Sequence, residues 1–169
     1  MEYRGRAWKY GDNINTDIIS PPAFMELSIG EAAAHAMSPV DPEFAGGCRE
    51  GDIFVAEENL GSGSSRETAP LTLKALGIRC MIAKSYARIF YRNCMNLGIL
   101  VVECPDTDRI GMGDEIEVDV AKNRIINYTK KEEYGFQPVP EHIMELIRAG
   151  GLYPYLAKTL GKEGISGKR

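Results

Sequence analysis

Short apolar runs alternate with amphipathic stretches through the middle of the chain. The apolar runs are residues 52–56, 78–83 and 99–103. Their length and flanking residues predict buried strands. A helical pattern passes through Leu71, Leu73 and Leu76, and residues 86–96 carry apolar side chains three or four positions apart. These patterns predict helices that end at Gly77 and Gly98. Strands that alternate with helices predict right-handed crossovers and a largely parallel segment of sheet.

The C-terminal part has a different pattern. In residues 115–120 Ile and Val alternate with acidic residues, and a polar turn leads into residues 124–129, so a β-hairpin is predicted. Residues 140–149 are predicted to form a short helix that ends at two glycines. We expect one domain over residues 1–160, followed by a flexible C-terminal tail over residues 161–169.

The N-terminal third predicts a strand near residues 6–10, a loop over residues 11–22 and a helix over residues 28–37. This helix opens with Ser-Ile-Gly-Glu, which has the spacing of a capping box. Residues 38–47 hold two prolines and two glycines, which indicates a loop or a flexible flap. Together the patterns predict a single α/β domain with a mixed sheet and flanking helices.

Composition limits the classes of protein to which the chain can belong. Its 169 residues are 44% hydrophobic and 26% charged, which is typical of one globular domain. The net charge of −4 argues against a general nucleic-acid or membrane-surface binder. Residues 1–10 show no signal-peptide pattern, and no apolar run is longer than that of residues 99–102, which is far shorter than the roughly 20 residues of a membrane span. We therefore expect a cytoplasmic protein with no membrane or nucleic-acid partner.

The cysteines do not have the spacing of a metal site. They are Cys48, Cys80, Cys94 and Cys104. Since no two of them form a CxxC pair, we predict no zinc or iron–sulfur ligands and no metal bound by this chain. A chain with its own core and no secretory segment also has no need of a disulfide framework. We interpret the four thiols as core residues.

The segment that is richest in groups able to bind or react with a ligand is residues 59–67, Asn-Leu-Gly-Ser-Gly-Ser-Ser-Arg-Glu. A glycine-rich turn between a strand and a helix allows backbone N–H groups to converge on an anion. The segment lacks the lysine of a P-loop and the GxGxxG spacing, but Arg66 can hold a carboxylate through two parallel hydrogen bonds. The alternative is a plain capping box. In that case Pro70 would fall inside the helix, so we predict that the helix begins nearer Glu67 or Thr68.

Charge is unevenly distributed around this segment. Residues 1–60 carry four basic and eleven acidic residues, a net −7, whereas residues 61–100 carry six basic residues and one acidic residue, a net +5. A local positive excess would raise the concentration of an acidic substrate near Arg66. Arg88 and Arg92 lie four apart on one predicted helix face, and they are equally consistent with a partner contact.

A second polar segment covers residues 12–22. Its Asn and Asp side chains can cap their own backbone, or Asp17 can orient a catalytic group that lies elsewhere. The only two histidines are His35 and His142, and we assign surface or core roles to both. Without a Ser–His–Asp or Cys–His set, the chain is not expected to catalyse hydrolysis alone.

Three sequence motifs, which occur in the same order as in a known family, indicate a resemblance to that family. They are Gly-Asp-Asn-Ile-Asn-Thr-Asp at residues 11–17, the glycine-rich segment at residues 59–67 and Ala-Lys-Ser-Tyr-Ala-Arg-Ile-Phe-Tyr-Arg-Asn at residues 83–93. Over residues 6–156 the chain resembles the small subunits of 3-isopropylmalate dehydratase, which are equivalent to the swivelling domain of aconitase. The resemblance implies a swivelling β/β/α fold and a large catalytic subunit, which carries a [4Fe-4S] cluster.

The resemblance also implies roles for individual residues. Ser64 looks like the family's serine base, Arg66 like the arginine that holds a substrate carboxylate, and Ser65 like a supporting hydrogen-bond donor. Asp17 matches the family aspartate that pairs with a histidine, here one of the large subunit. The implied reaction is reversible dehydration and rehydration of a hydroxy dicarboxylate. A serine can act as base only where N–H donors and positive charge stabilise its alkoxide.

The loop after Asp17 is where substrate specificity is expected. The aconitase and homoaconitase branches of the family place there an arginine that binds a third carboxylate. Here the loop contains Phe24, Met25, Glu26 and Leu27. Glu26 would repel an additional carboxylate, and the three apolar side chains suit an aliphatic substituent such as isopropyl. The alternative is that this loop simply packs on the next helix.

The leading hypothesis is therefore the small subunit of a hydro-lyase that converts 2-isopropylmalate to 3-isopropylmalate in leucine biosynthesis. A related hydro-lyase for dimethylmalate, citramalate or homoaconitate is the enzymatic alternative. A non-catalytic carboxylate-sensing or RNA-associated module on the same fold is the alternative from another class.

Overall fold

A computed structural model describes residues 2–64 and 66–166, and these residues form one seven-stranded sheet with helices packed against it. The strands are β1 (Glu2–Lys9), β2 (Ile53–Val55), β3 (Cys80–Ala83), β4 (Leu100–Glu103), β5 (Glu115–Asp119), β6 (Arg124–Asn127) and β7 (Glu132–Gly135). The helices are α1 (Thr16–Ile19), α2 (Ile29–Ala33), α3 (Phe44–Gly47), α4 (Thr68–Ala75), α5 (Arg88–Asn96), α6 (Glu141–Ala149) and α7 (Leu152–Ser166). Short 3-10 helices cover Pro22–Phe24 and Thr107–Arg109.

The sheet has a parallel half and an antiparallel half that share β1. Its strand order is β4-β3-β2-β1-β5-β6-β7. On one side β1 pairs parallel with β2, Ala7 opposite Ile53, and β3 and β4 continue the parallel half. On the other side β1 pairs antiparallel with β5, Tyr3 opposite Val118, followed by β6 and β7. The predicted mixed α/β sheet, with its parallel segment and its hairpin at β5–β6, is confirmed.

The packing of the core explains why the sequences of the central strands are continuous apolar runs. All residues of β2 and β3 are buried, because helices cover the parallel half of the sheet, and such strands have no solvent-facing side. Helix α5 turns Phe90, Cys94 and Met95 towards the sheet.

Local sequence signals set several helix ends. Ser28 Oγ accepts a hydrogen bond from the N–H of Glu31 at 3.2 Å, so the capping box predicted for α2 is present. The helix proper is shorter than predicted, since turns replace it after Ala33. Helix α4 begins at Thr68, as the position of Pro70 requires.

The segment 38–47 is attached to the core, which the interpretation as a flap did not anticipate. Phe44, the first residue of α3, is fully buried. Its ring contacts the rings of Trp8, Tyr10 and Phe54 edge-on, with centroids 5.3, 6.0 and 5.8 Å apart. Burial of an aromatic ring in such a cluster holds the segment against β1 and β2.

Replacing Phe44 with alanine is expected to lower the free energy of unfolding by about 3–5 kcal/mol, because it empties a buried aromatic site. Urea unfolding measures this loss. Val40 is half exposed in the same segment, so Val40→Ala should change stability by less than about 0.5 kcal/mol. Equal effects of the two substitutions would contradict the anchoring role of Phe44.

The C-terminal end differs from the prediction in part. Helix α7 runs from Leu152 to Ser166, so residues 161–166 of the predicted tail are helical. The remaining tail residues, 167–169, lie outside the described part of the chain, and the domain boundary at residue 160 stays a prediction. Strand β7 was not predicted at all.

Candidate active site

The three sequence motifs meet at one edge of the sheet. The loop of residues 10–15 follows β1, the loop of residues 56–67 follows β2, and residues 84–87 follow β3. Because these strands are parallel, their carboxyl ends lie at the same edge, which is where open α/β sheets bind ligands. Segments that are far apart in sequence are thereby brought together.

Backbone hydrogen bonds join the first loop to the second. The N–H of Asn13 donates to the carbonyl of Glu58 at 2.8 Å, and the N–H of Gly61 donates to the carbonyl of Ile14 at 2.8 Å. Thr16 is bonded twice, since its N–H donates to the carbonyl of Ser62 at 2.9 Å and its Oγ1 accepts from the N–H of Ser64 at 3.0 Å. This pairing brings the first turn of α1 against the glycine-rich segment.

The third motif shapes the glycine-rich segment from the other side. Leu60 donates its N–H to the carbonyl of Ser85 at 3.1 Å, and its own carbonyl accepts from the N–H of Ala87 at 2.9 Å. Gly61 has a φ of 86°, and a Cβ at this position would lie 2.0 Å from Cγ of Phe90. Only glycine fits there, because a side chain would need both a left-handed backbone and space that the Phe90 ring occupies.

Ser64 and Arg66 are in direct contact. The Ser64 Oγ accepts hydrogen bonds from Arg66 Nε at 2.8 Å and from the Arg66 backbone N–H at 3.2 Å. Another nitrogen of the guanidinium, Nη1, contacts Sδ of Met25. A hydroxyl oxygen that already faces a positive charge and two N–H donors is placed to carry negative charge as an alkoxide.

A small concavity opens beside this pair. It is lined by Thr16, Asp17, Ser20, Met25, Ser64, Arg66, Thr68 and Ala69. A carboxylate, a hydroxyl and a guanidinium therefore line one depression in the surface, where they can contact the same polar ligand. Among residues 2–64 and 66–166, no ion pair involves Asp17 or Arg66, so their charges are available to a ligand or a partner.

Several known proteins are similar in sequence to this chain along almost its whole length. It is 51% identical to 3-isopropylmalate dehydratase small subunit 1 of Archaeoglobus fulgidus over 157 residues, which are 92% of this chain and 97% of that protein. It is 47% identical to the 3-isopropylmalate dehydratase small subunit of Methanosarcina mazei, over 94% of this chain and 99% of that protein. The chain belongs to the family of 3-isopropylmalate dehydratase small subunits. The resemblance drawn from the three motifs is thus confirmed.

Two further comparisons agree with this family. The crystal structure of 3-isopropylmalate dehydratase from Methanocaldococcus jannaschii is 40% identical and superposes with a TM-score of 0.92, with 99% of both chains covered. Residues 37–107 match the model of the aconitase C-terminal domain. The predicted swivelling-domain fold of the aconitase family is therefore confirmed.

The residues predicted for the site are only partly brought together. Asp17, Ser64 and Arg66 line one concavity, whereas Ser65 lies outside the described residues. Of the specificity loop, Met25 alone lines the concavity. The ring of Phe24 instead stacks on His35, with centroids 3.7 Å apart. Glu26 and Leu27 are exposed and do not line the concavity, so the expected repulsion of a third carboxylate by Glu26 has no support in this geometry.

Sequence reasoning missed three hydroxyl side chains of the candidate site. Thr16, Ser20 and Thr68 line the concavity, and Thr16 also fixes the Ser64 backbone. For Thr16 the available signal was its place directly before Asp17 in the first motif. The position of Thr68 at the concavity makes it a candidate contact for a ligand.

The predicted convergence of backbone N–H groups on an anion is wrong for three residues of the segment. The N–H groups of Gly61, Ser64 and Arg66 all have acceptors within the chain. These three N–H groups therefore hold the segment in place, and the Arg66 guanidinium is its positively charged group at the concavity.

Part of the positive charge of residues 61–100 is also neutralised within the chain, so less of it can attract a ligand than the residue count suggests. Arg79 pairs with Glu50, and Lys84 pairs with Glu57. Arg66 is the cation of this stretch that lines the concavity, so it dominates the local attraction for a carboxylate.

The cysteines do not fit an iron–sulfur cluster. Cys80, Cys94 and Cys104 are buried, and burial raises the pKa of each thiol. Burial likewise raises the pKa of Cys48 to about 12. Within the described ranges, no three His, Cys, Asp or Glu side chains are grouped so that they could hold a metal ion. The helices of the same ranges include none that is long and apolar enough to span a membrane.

Proposed function

We propose that this chain is the small subunit of a hydro-lyase that isomerises 2-isopropylmalate to 3-isopropylmalate in leucine biosynthesis and is active only with its large subunit. The observation that carries the proposal is the contact between Ser64 Oγ and Arg66 Nε at 2.8 Å beside Asp17, in a chain of this family. A hydroxy dicarboxylate offers a carboxylate for the guanidinium and an acidic C–H for a base.

Ser64 acts as the base in this proposal. As an alkoxide it takes the proton from the carbon next to a substrate carboxylate while the neighbouring hydroxyl departs, which leaves an alkene. In the hydration that follows, Ser64 Oγ donates this proton to the carbon that lost the hydroxyl, and hydroxide adds to the carbon that lost the proton, so that the alkoxide is regenerated. The guanidinium of Arg66 stabilises the alkoxide and holds a substrate carboxylate through its remaining N–H groups. We assign Ser65 a supporting hydrogen bond to the same carboxylate.

The large subunit supplies what this chain does not. Lewis-acid activation of the departing hydroxyl is the chemistry of the [4Fe-4S] cluster that we assign to that subunit. Asp17 is exposed at the rim of the concavity, where it can pair with a histidine of the large subunit across the interface. We also propose that the assembled enzyme is cytoplasmic.

Specificity for an aliphatic substituent is proposed to depend mainly on Met25. Its thioether packs beside Arg66, so a substrate held by the guanidinium would present its side chain to an apolar neighbour. Phe24, Glu26 and Leu27 do not line the concavity, and we propose that they act through the shape of the loop that carries Met25. Dimethylmalate, citramalate and homoaconitate remain the alternative substrates to compare.

The test is anaerobic reconstitution of the two subunits with a panel of substrates. We expect the highest kcat/KM for isopropylmalate, lower values for citramalate and dimethylmalate, and no useful turnover of homocitrate. Each subunit alone, assayed at the same concentration, is the control. Efficient turnover of homocitrate, or activity of either isolated subunit, would contradict the proposal.

A further inference from the structure

At the carboxyl edge of the parallel strands, a largely buried carboxylate joins the ends of these strands. The side chain of Glu57, which follows β2, is only 15% exposed. Its carboxylate lies 2.5 Å from Nζ of Lys9 at the end of β1 and 3.1 Å from Nζ of Lys84 after β3. It also accepts a hydrogen bond from Oγ1 of Thr107 at 2.7 Å, in the 3-10 helix after β4.

These contacts make Glu57 the centre of a clamp of four residues, Lys9, Glu57, Lys84 and Thr107. The backbone reinforces it, because the N–H of Glu57 donates to the carbonyl of Gly11 and its carbonyl accepts from the N–H of Lys84. Lys9 also donates to the carbonyl of Thr107 at 2.6 Å. The ends of all four parallel strands are thereby tied to one carboxylate.

The clamp lies where the loops of the candidate site begin. The loop that starts after Lys9 leads to Thr16 and Asp17, and the loop that starts at Glu57 leads to Ser64. The distance between these groups depends on how the two loops leave the sheet. None of the four clamp residues lines the concavity.

We propose that Glu57 is a positioning residue, whose carboxylate fixes the two loops so that Ser64 and Arg66 face Asp17. This inference rests on the function proposed for those three residues. The charges give the physical reason. Two ammonium groups share one carboxylate. If this carboxylate is neutralised, Lys9 and Lys84 repel each other across the sheet edge, and Lys84 retains its weaker contact with Asp108 at 3.6 Å.

The carboxylate is kept charged by the same contacts. Burial alone would raise the pKa of Glu57, but the hydrogen bonds from Lys9, Thr107 and Lys84 outweigh burial and lower it. The clamp is therefore ionised under ordinary assay conditions.

A matched control exists in the antiparallel half of the sheet. Asp114 is also a buried carboxylate, which accepts from the N–H of Gly111 at 2.8 Å and from Nδ2 of Asn127 at 2.9 Å and lies 3.4 Å from Nζ of Lys130. Neutralising Asp114 removes a comparable network from the fold, but these contacts lie outside the loops of the site.

The experiment compares Glu57→Gln with Asp114→Asn in the complex with the large subunit. Both substitutions should lower the melting temperature. Glu57→Gln alone is expected to speed hydrogen exchange of the amides over residues 58–64 and to lower kcat by about 10- to 100-fold, the effect of a displacement of about 1 Å in a catalytic group. Equal kcat values for the two variants, or unchanged exchange over residues 58–64, would overturn the positioning role.

A milder pair of variants covers the case in which Glu57→Gln does not fold. Thr107→Val removes one hydrogen bond to Glu57 and keeps the shape of the side chain, whereas Thr107→Ser restores the hydroxyl. We expect Thr107→Val to shift exchange and kcat in the same direction as Glu57→Gln, and Thr107→Ser to return both towards wild type. Loss of activity without rescue by serine would count against the clamp.

The two proposals fail in different ways. If the wild-type complex has no isomerase activity, the proposed function fails, while hydrogen exchange over residues 58–64 still decides whether Glu57 holds the loops. If the wild type is active and Glu57→Gln turns over at the rate of Asp114→Asn, only the positioning role fails.

Discussion

Ser64→Ala is expected to lower kcat of the reconstituted enzyme by about three orders of magnitude or more, because it removes the group that accepts the substrate proton. Binding should change much less, since the guanidinium of Arg66 remains to hold the substrate carboxylate. Assembly should be unaffected, because the described partners of the Ser64 hydroxyl are both atoms of Arg66. Steady-state kinetics with isopropylmalate, together with gel filtration of the complex, measure these expectations.

Ser62→Ala is the matched control for this prediction. Ser62 lies two residues earlier in the same glycine-rich segment, and it is the backbone carbonyl of Ser62 that holds Thr16. Removing its hydroxyl should therefore leave kcat within a few-fold of wild type. If Ser64→Ala were as active as Ser62→Ala, the assignment of the base would be wrong.

Much of the fold could be predicted because local signals determine it. Pro70 cannot lie deep inside a helix, so it sets the start of α4 at Thr68. Gly77 and Gly98, with φ values of 95° and 83°, follow the ends of α4 and α5, as expected of glycine. Alternating Ile and Val identified β5. Such signals act over a few residues and are visible in the sequence.

The features that were missed depend on residues far apart in sequence. Strand β7 has the sequence Glu-Glu-Tyr-Gly, and it is recognisable as a strand only through its pairing with β6, where Tyr134 lies opposite Ile125. Phe44 lies in a segment rich in Pro and Gly, and its burial depends on rings of β1 and β2. No pattern within either segment predicts these contacts.

In the candidate site, too, residue types could be predicted from the sequence, but contacts between distant residues could not. Residue types and the resemblance identified Ser64, Arg66 and Asp17, which do line one concavity. The contact of Thr16 with Ser64 could not be predicted, because it joins residues 48 positions apart. For the specificity loop, composition suggested three apolar contacts, but the path of the backbone after the 3-10 helix decides that Met25 faces Arg66 while Phe24 stacks on His35.

Arg66→Lys is expected to lower kcat/KM by about 100- to 1,000-fold, although it keeps the positive charge. Lysine has no planar fork with which to bind a carboxylate through two parallel hydrogen bonds, and it lacks the Nε that donates to Ser64. The substitution should therefore both raise KM and lower kcat, in contrast to Ser64→Ala, which should lower kcat mainly. The measurement is the separate determination of the two constants for the reconstituted enzyme.

The double variant Ser64→Ala/Arg66→Lys decides whether the two residues act as a unit. If the guanidinium lowers the barrier by stabilising the Ser64 alkoxide, then once Ser64 is absent Arg66→Lys should raise KM with little further loss of kcat. Arg88→Lys is the control for a change of cation, because Arg88 is exposed at the start of α5 and does not line the concavity. Independent, additive losses of kcat in the double variant would separate the roles of Ser64 and Arg66 and contradict the mechanism.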